Sequence, residues 1–410
     1  MIMIGNGLQG TLLGVRATME GFPTYSTGII MSMYYAGFML GSHFVPKLIQ
    51  GVGHIRVFTA LAAIASTTVL FHGMFPDEWV WGFVRAATGF AFAGMYIVIE
   101  SWLNNAVDNK GRGKMMAFYL VVLYASMAIG QYMLGAADPG TMDLFIWTSV
   151  LISVAVLPIS LSSRPAPTFN APEKVSPHML FKTSPLGIYG VFASGMASAC
   201  LFAIGPVYAA EAGFTLPQIA NFMAAAIIGA VALQFPIGWL SDKYDRRKIL
   251  ICVSMLAAIA CGLALLAAPY NSSALYLAMF MLGGTALTIY GLSTAHTNDH
   301  LAPAQIVAAS AGLIMINGIG SIIGPTASSA LMNITGPWML FAMMGAVYGS
   351  IAVFGIYRAI CTAPVPMEQQ DPFVPQASPS TALVMQQVVE QGIENLKSLD
   401  SFGDPDITRN

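Results

Sequence analysis

The sequence predicts an all-α membrane protein with twelve transmembrane helices. They would form two pseudo-symmetric six-helix bundles, with both termini in the cytoplasm. Composition, the distribution of Lys and Arg, and an internal repeat support this prediction. Of the 410 residues, 56% are hydrophobic and only 9% are charged, whereas soluble domains carry about 25% charged residues. Because so few charges cannot keep a chain of this size in solution, we expect it to cross a bilayer repeatedly.

Twelve apolar stretches are each long enough to cross the ~30 Å hydrocarbon core of a bilayer as an α-helix. The first stretch is the least apolar, since it contains Asn6, Gln9 and Arg16. The predicted spans are 1–19, 25–45, 57–76, 79–104, 114–136, 141–162, 185–210, 216–239, 248–268, 273–297, 305–332 and 337–360.

The polar connections divide the chain into four regions. We expect an N-terminal bundle over 1–162, a Pro- and Ser-rich cytoplasmic linker over 163–184, and a C-terminal bundle over 185–360. Residues 361–410 form a polar, acidic, Pro-containing tail in the cytoplasm, which we expect to be mostly disordered. The alternative for part of the tail is one short amphipathic helix within 381–399.

The basic residues predict the orientation, because cytoplasmic loops carry the excess of Lys and Arg. The connections after helices 2, 4, 6, 8 and 12 are basic, whereas the opposite connections contain no Lys or Arg. The basic residues are Lys47, Arg56, Lys110, Arg112, Lys114, Arg164, Lys174, Lys182, Lys243, Arg246, Arg247, Lys248 and Arg358.

The two halves of the chain also resemble each other in sequence. They align at offsets of 192 and 194 residues, a small gap that is typical of duplicated six-helix halves. Such halves rock about a midplane site at their interface. The aligned pairs include Gly37 with Gly229, Gly89 with Gly283, Tyr96 with Tyr290, and Gly130 with Gly324.

One cytoplasmic motif indicates a family. The segment GWLSDKYDRRKIL (238–250) resembles the cytoplasmic signature of the major facilitator superfamily, with Gly238, Asp242, Arg246 and Arg247 among the matches. Glycine allows close approach of helices, and the aspartate can sit at a helix N-terminus. The arginines offer forked donors to carboxylates. These four residues are therefore predicted to latch the cytoplasmic gate.

Other segments extend the resemblance over about residues 1–360. The first half carries a degenerate copy of the signature, PKLIQGVGHIR (46–56), which retains Arg56 as its basic end. RAATGFAFAG (85–94) resembles the superfamily's helix 4 pattern. GVRATMEGF, YYAGFMLG, GHIRVF, ESWLN and GRGKMMAFY together are similar to the YcaD-like bacterial subgroup. Helix 5 has Gln131 where exporters of the superfamily carry proline, which argues against an exporter.

The resemblance implies a central cavity lined by helices 1, 4, 7 and 10, with help from helices 2, 5, 8 and 11. Polar residues on these helices are candidates for substrate binding. Each has a structural alternative: packing for the tyrosines, interhelical hydrogen bonds for the amides, and a local ion pair with Glu20 for Arg16. For Arg85 the alternative is binding of helix 1 carbonyls or a carboxylate. The candidates are Gln9, Arg16, Tyr35, Arg85, Tyr96, Gln131, Tyr290 and Asn317.

Glu100, in YIVIESWLNN (96–105), is a carboxylate near the cytoplasmic end of helix 4. It lies ~22 Å along the helix from Arg85, so the two cannot pair. Arg56 and Arg112 are expected at the same level. We therefore favour a role for Glu100 in the cytoplasmic latch over the two alternatives, a proton carrier and a substrate contact.

These observations predict a secondary active transporter in the cytoplasmic (inner) membrane of a bacterium. It would move a small polar or anionic solute by proton-coupled symport, as a monomer in the lipid bilayer. The alternatives are proton-driven export of amphipathic compounds and a non-transporting sensor that acts through the tail. No nucleophile–base pair, metal-ligand spacing or phosphate-binding loop is evident. We therefore expect no enzyme activity and no cofactor, and a net charge of −2 gives no reason to expect nucleic-acid binding.

Overall fold

The computed structural model describes residues 1–105, 109–161, 177–267, 272–301, 303–362, 370 and 373. Within these ranges the chain forms helices and no strands. Twelve long helices dominate, and a short helix, Pro177–Thr183, precedes the seventh. The long helices are α1 (Ile2–Met19), α2 (Thr24–Val52), α3 (His54–Met74), α4 (Glu78–Asn105), α5 (Asn109–Met133), α6 (Asp143–Ser160), α7 (Pro185–Glu211), α8 (Leu216–Lys243), α9 (Arg246–Ala267), α10 (Ser272–Asn298), α11 (Pro303–Thr335) and α12 (Met339–Cys361).

Ten of these helices, α3 to α12, are long and apolar enough to cross a membrane. They correspond to ten of the twelve predicted spans, and most boundaries agree within a few residues. In α1, Asn6, Gln9 and Arg16 lower the hydropathy. Helix α2 continues to Val52, seven residues beyond its predicted span, because Pro46 is accommodated inside the helix. Both α1 and α2 nevertheless pack within the helical bundle.

Three pairs of glycine contacts show that the predicted repeat is structural. In each contact the glycine lies so close to a carbonyl of a neighbouring helix that a Cβ would collide with it. Each contact in the first half recurs at the aligned residues of the second half. Gly37 meets Ala86 as Gly229 meets Phe280, Gly89 meets Tyr34 as Gly283 meets Ala226, and Gly130 meets Ile4 as Gly324 meets Met196.

The turns that follow α1 and α7 repeat as well. Gly21 and Gly213 have φ angles of +75° and +79°. Glycine adopts this left-handed conformation without steric cost, so each residue reverses the chain tightly after its helix. The halves therefore share both their helix packing and their turn chemistry.

The ends of the bundle differ in charge. We call the end with Arg56, Lys243, Arg246 and Arg247 the basic end. The other end, which carries Glu20, Glu78 and Glu211, is here called the acidic end.

The two halves are joined by hydrogen bonds at the acidic end. Thr24 of α2 donates to Glu211 of α7 at 2.5 Å. The hydroxyls of Ser32 (α2) and Thr326 (α11) lie 2.8 Å apart. One helical turn before Ser32, Gly28 lies so close to Ser329 that a Cβ there would collide with its hydroxyl. These contacts join α2 of the first half to α7 and α11 of the second half.

Candidate functional site

A central cavity lies between the two halves of the bundle. It has a volume of about 1450 Å³, counted to its open mouth, and is lined by α1, α2, α4 and α5 of the first half and α7, α8, α10 and α11 of the second. These are the helices that the family resemblance implies. Within the described part of the chain, no group of three or more His, Cys, Asp or Glu side chains could hold a metal ion.

Arg85 of α4 supplies the one formal charge among the described residues that line the cavity. Its side chain is buried, with 6% of its surface exposed. The guanidinium carbon lies 4.5 Å from the centre of the Tyr34 ring, in a cation–π contact. The guanidinium Nε and Nη1 atoms have no hydrogen-bond partner among the described residues. A buried cation without a counter-charge is costly in a membrane protein, so this position is typical of a functional residue.

Aromatic rings surround Arg85. Tyr34 packs edge-on against Tyr35, with ring centres 5.4 Å apart, and also contacts Phe38. Phe38 in turn contacts Tyr96, at 6.1 Å. All four rings line the cavity. The charged wall is therefore bordered by flat apolar faces, which can hold the body of an organic ligand.

Tyr96 ties this wall to α1. Asn6 donates from Nδ2 to the Tyr96 hydroxyl at 3.1 Å, and that hydroxyl lies 3.1 Å from the Met3 sulfur. All three side chains line the cavity. Tyr96 thus makes a structural hydrogen bond and also lines the wall of the site.

The two candidate amides also have structural partners. Gln131 of α5 donates to the Gly7 carbonyl of α1 at 2.9 Å, and its Oε1 accepts from Thr11. Asn317 of α11 donates to the Val191 carbonyl of α7 at 3.0 Å. Both line the cavity while holding pairs of helices together. Tyr290 of α10 lines it too, opposite the Arg85 wall.

The structure does not bring Gln9 and Arg16 to the cavity. Gln9 is fully buried on another face of α1. Arg16 lies at the acidic end, where it pairs with Glu20 at 2.6 Å and donates to the Pro139 carbonyl at 3.1 Å. The i,i+4 spacing places Arg16 and Glu20 on one helix face, and there the local ion pair prevails.

The signature arginines bind partners within their own half. Arg246 pairs with Asp299 at 2.5 Å, and each of these side chains is 1% exposed. Arg246 also lies 3.5 Å from Asp242. Arg247 donates to the Thr362 carbonyl at 2.8 Å and lies 3.7 Å from Asp245. The cluster therefore braces α8, α9, α10 and α12 at the basic end.

Glu100 is fully buried, and the Tyr119 hydroxyl of α5 donates to it at 3.3 Å. The side chain is thus enclosed between α4 and α5, whereas the sequence suggested the open edge of the bundle. Arg56 is exposed at the same end. The side chain of Arg112 lies outside the described part of the chain.

Sequence reasoning left some lining residues out of the main candidates. Tyr34 and Phe38 lie one helical turn apart on α2, and the motif YYAGF does not reveal which of its rings meets Arg85. A π-helical turn over Cys200–Ile204 interrupts α7 and brings Phe202 to the cavity. Such turns recur at functional sites. Gly205 and Pro206, which directly follow the turn, are the sequence feature that could have indicated this irregularity.

The fold and the interbundle cavity define the class, a polytopic helical membrane protein. Residues 187–389 match the family model of the Major Facilitator Superfamily. The chain is 26% identical over 349 residues to an uncharacterized MFS-type transporter of Enterobacter sp. (strain 638), and 25% identical to the MFS-type transporter YcaD of Escherichia fergusonii. Each alignment covers 85% of this chain and 90% of the relative. The resemblance to the superfamily and to its YcaD-like members is thereby confirmed.

Solved structures show the same fold. The nucleoside transporter NupG superposes with a TM-score of 0.68 at 14% identity, over 87% of this chain and 97% of NupG. A bacterial homolog of the human lysosomal transporter Spinster, in an inward-facing and unoccupied conformation, gives a TM-score of 0.64 at 13% identity. That alignment covers 95% of this chain and 94% of the homolog. These likenesses show that the chain shares the fold of these two proteins.

Proposed function

We propose that the protein is a secondary active transporter of the major facilitator superfamily. It moves a small polar or anionic solute across the cytoplasmic membrane of a bacterium by alternating access and proton symport. Twelve helices cross the bilayer, and the basic end faces the cytoplasm. The observation that carries the proposal is Arg85, a buried guanidinium that has no carboxylate partner among the described residues, in a cavity between two repeated halves.

The lining of the cavity narrows the class of solute. One charge, from Arg85, is set in a wall of aromatic rings. Leu123, Leu287 and Ile314 continue the apolar lining away from the charge. A carboxylate would pair with the forked donors of the guanidinium, and an apolar body would contact the rings. The substrate class we propose is therefore an amphipathic organic anion.

A pair of matched arginine variants tests this site. In proteoliposomes, Arg85→Gln should abolish uptake of radiolabelled benzoate driven by an inward proton gradient, because the anion loses its counter-charge. Arg16→Gln, which removes an arginine outside the cavity, should retain it. Benzoate should also raise the melting temperature of the wild-type protein more than neutral benzamide does. Normal uptake by a well-expressed Arg85→Gln variant would overturn the anion site.

The cytoplasmic latch predicted from the sequence would form only when the basic end closes. We propose that Glu100, Arg56 and Arg112 of the first half meet the signature cluster of the second half when that end closes. Glu100→Gln should then favour the state open at the basic end and leave benzoate binding intact. Loss of binding with unchanged gate populations would instead make Glu100 a proton or substrate site.

Export of amphipathic compounds is the second candidate, and the methionines of the cavity favour it. The sulfurs of Met3, Met39, Met127 and Met223 offer an adaptable apolar lining. Uptake into inverted vesicles decides the direction. Proton-driven accumulation there indicates export, whereas its absence, together with uptake in right-side-out vesicles, supports symport.

A further inference from the structure

Phe373 lies beyond α12 in the tail, yet it is buried against the second half of the bundle. Only 9% of it is exposed. Its backbone N–H donates to the Asp242 carboxylate at 2.7 Å. Its ring packs directly onto Gly238 of α8. The ring also lies close to Gly291 of α10, where an added Cβ would be 3.1 Å from it.

The surface that contacts Phe373 is formed by Gly238, Asp242 and Gly291. We call this surface the tail notch. Any side chain at Gly238 would collide with the ring. Asp242 supplies the acceptor and is itself held 3.5 Å from Arg246. The notch therefore combines a flat recess for one aromatic ring with an acceptor for one backbone N–H, and Phe373 supplies both groups.

The notch lies on the face of α8 that meets the first half. Ile227 and Ala230 of α8 pack with Leu123 and Tyr124 of α5 in one buried cluster. Gly238 follows Ile227 by eleven residues, which is about three helical turns, so both lie on the same face. The α5–α8 contact thus covers this face towards the acidic end, and Phe373 covers it towards the basic end.

We propose that the tail notch is a docking site for Phe373 and that docking opposes closure of the basic end. When the halves rock, the basic end of α5 must approach the α8 face that Phe373 occupies. In the docked state the Asp242 carboxylate accepts a hydrogen bond from the backbone N–H of Phe373. The latch proposed above would need the same carboxylate. Docked Phe373 is thus a wedge that favours the state open at the basic end, and its release permits closure. This consequence for the gate rests on the alternating-access function proposed above.

The docking itself can be tested without transport. A benzophenone photo-crosslinker placed at position 373 in the full chain should couple to peptides that contain Gly238 or Gly291. The same group at Phe402, elsewhere in the tail, should not. Equal coupling from both positions, or none to α8 and α10, would overturn the docking site.

The effect on the gate needs a distance across the basic end. Spin labels on Lys47→Cys of α2 and His300→Cys after α10 would report the distance between two exposed positions on opposite halves. These labels require a background in which Cys252 and Cys361, the exposed cysteines among the described residues, are replaced. Phe373→Ala should increase the short-distance fraction severalfold, whereas Phe402→Ala should match the unmodified tail.

Two outcomes separate this proposal from the proposed function. If Phe373→Ala leaves the distances unchanged while a variant that opens the acidic end shortens them, the wedge is wrong and alternating access stands. If no variant at either end changes the distances, alternating access itself fails.

Discussion

The acidic and basic ends of the bundle are held together by different kinds of contact. At the acidic end, hydroxyl groups and a glycine contact join one half to the other. At the basic end, buried charges pair within the second half, and a tail residue covers the face towards the first. The described contacts at the acidic end therefore join the two halves, whereas the described ion pairs at the basic end lie within the second half. Mutations in the interbundle contacts of the acidic end should accordingly affect conformation, whereas mutations in the buried ion pairs of the basic end should affect stability.

The largest effect on stability is expected for Asp299→Asn at the basic end. It leaves Arg246 without its closest carboxylate in a fully buried position. Removal of one partner from a buried ion pair costs about 3–5 kcal/mol. Thermal unfolding in detergent should show a large loss of stability. An unchanged unfolding midpoint would show that water or another group reaches Arg246.

Gly28→Val should have the next largest effect, but on conformation. The added side chain would collide with Ser329, so the acidic end cannot remain closed. Overpacking of this kind costs about 1–3 kcal/mol, which is enough to shift a two-state equilibrium. Labelling of a cysteine at the acidic end should become faster. Gly51→Ala, whose Cβ would meet no atom within 4 Å, is the matched control in the same helix.

Glu211→Gln should weaken the contacts between the halves at the acidic end more gently. The amide oxygen still accepts from Thr24, but the bond loses its charge. The difference is about 1 kcal/mol, or roughly a fivefold change in the open fraction. Spin-label distances at the acidic end report this change. A fall in unfolding temperature without any change in distances would contradict the role of Glu211 in joining the halves.

Glu20→Gln should have the smallest effect. Its ion pair with Arg16 is partly exposed and lies within one helix. Such pairs contribute about 0.2–1 kcal/mol. We expect little change in thermal unfolding and normal benzoate uptake. A loss of uptake would return Arg16 to the candidates for substrate binding.

The sequence predicts the helices and the repeat well because both leave a local pattern. Long apolar runs identify spans, and glycines at matched positions identify close contacts, as Gly37 and Gly229 show. The candidate site was harder to predict. Gln9 and Tyr96 are both polar residues in apolar helices, and only the rotation of each helix decides which one reaches the cavity.

The contact of Phe373 could not be predicted from the sequence. It joins positions that lie 131 residues apart in the sequence. The notch consists of two glycines and an aspartate, and two of these residues, Gly238 and Asp242, are already explained by the signature motif. Only their placement in three dimensions shows that they receive one ring.

The central claim is that the two ends open in alternation. Two spin-label pairs test it in one protein: Lys47→Cys with His300→Cys at the basic end, and Met74→Cys with Asn333→Cys at the acidic end, all at exposed positions. We predict that Gly28→Val lengthens the acidic-end distance and shortens the basic-end distance together. Distances that change independently, or that lengthen at both ends, would contradict the account.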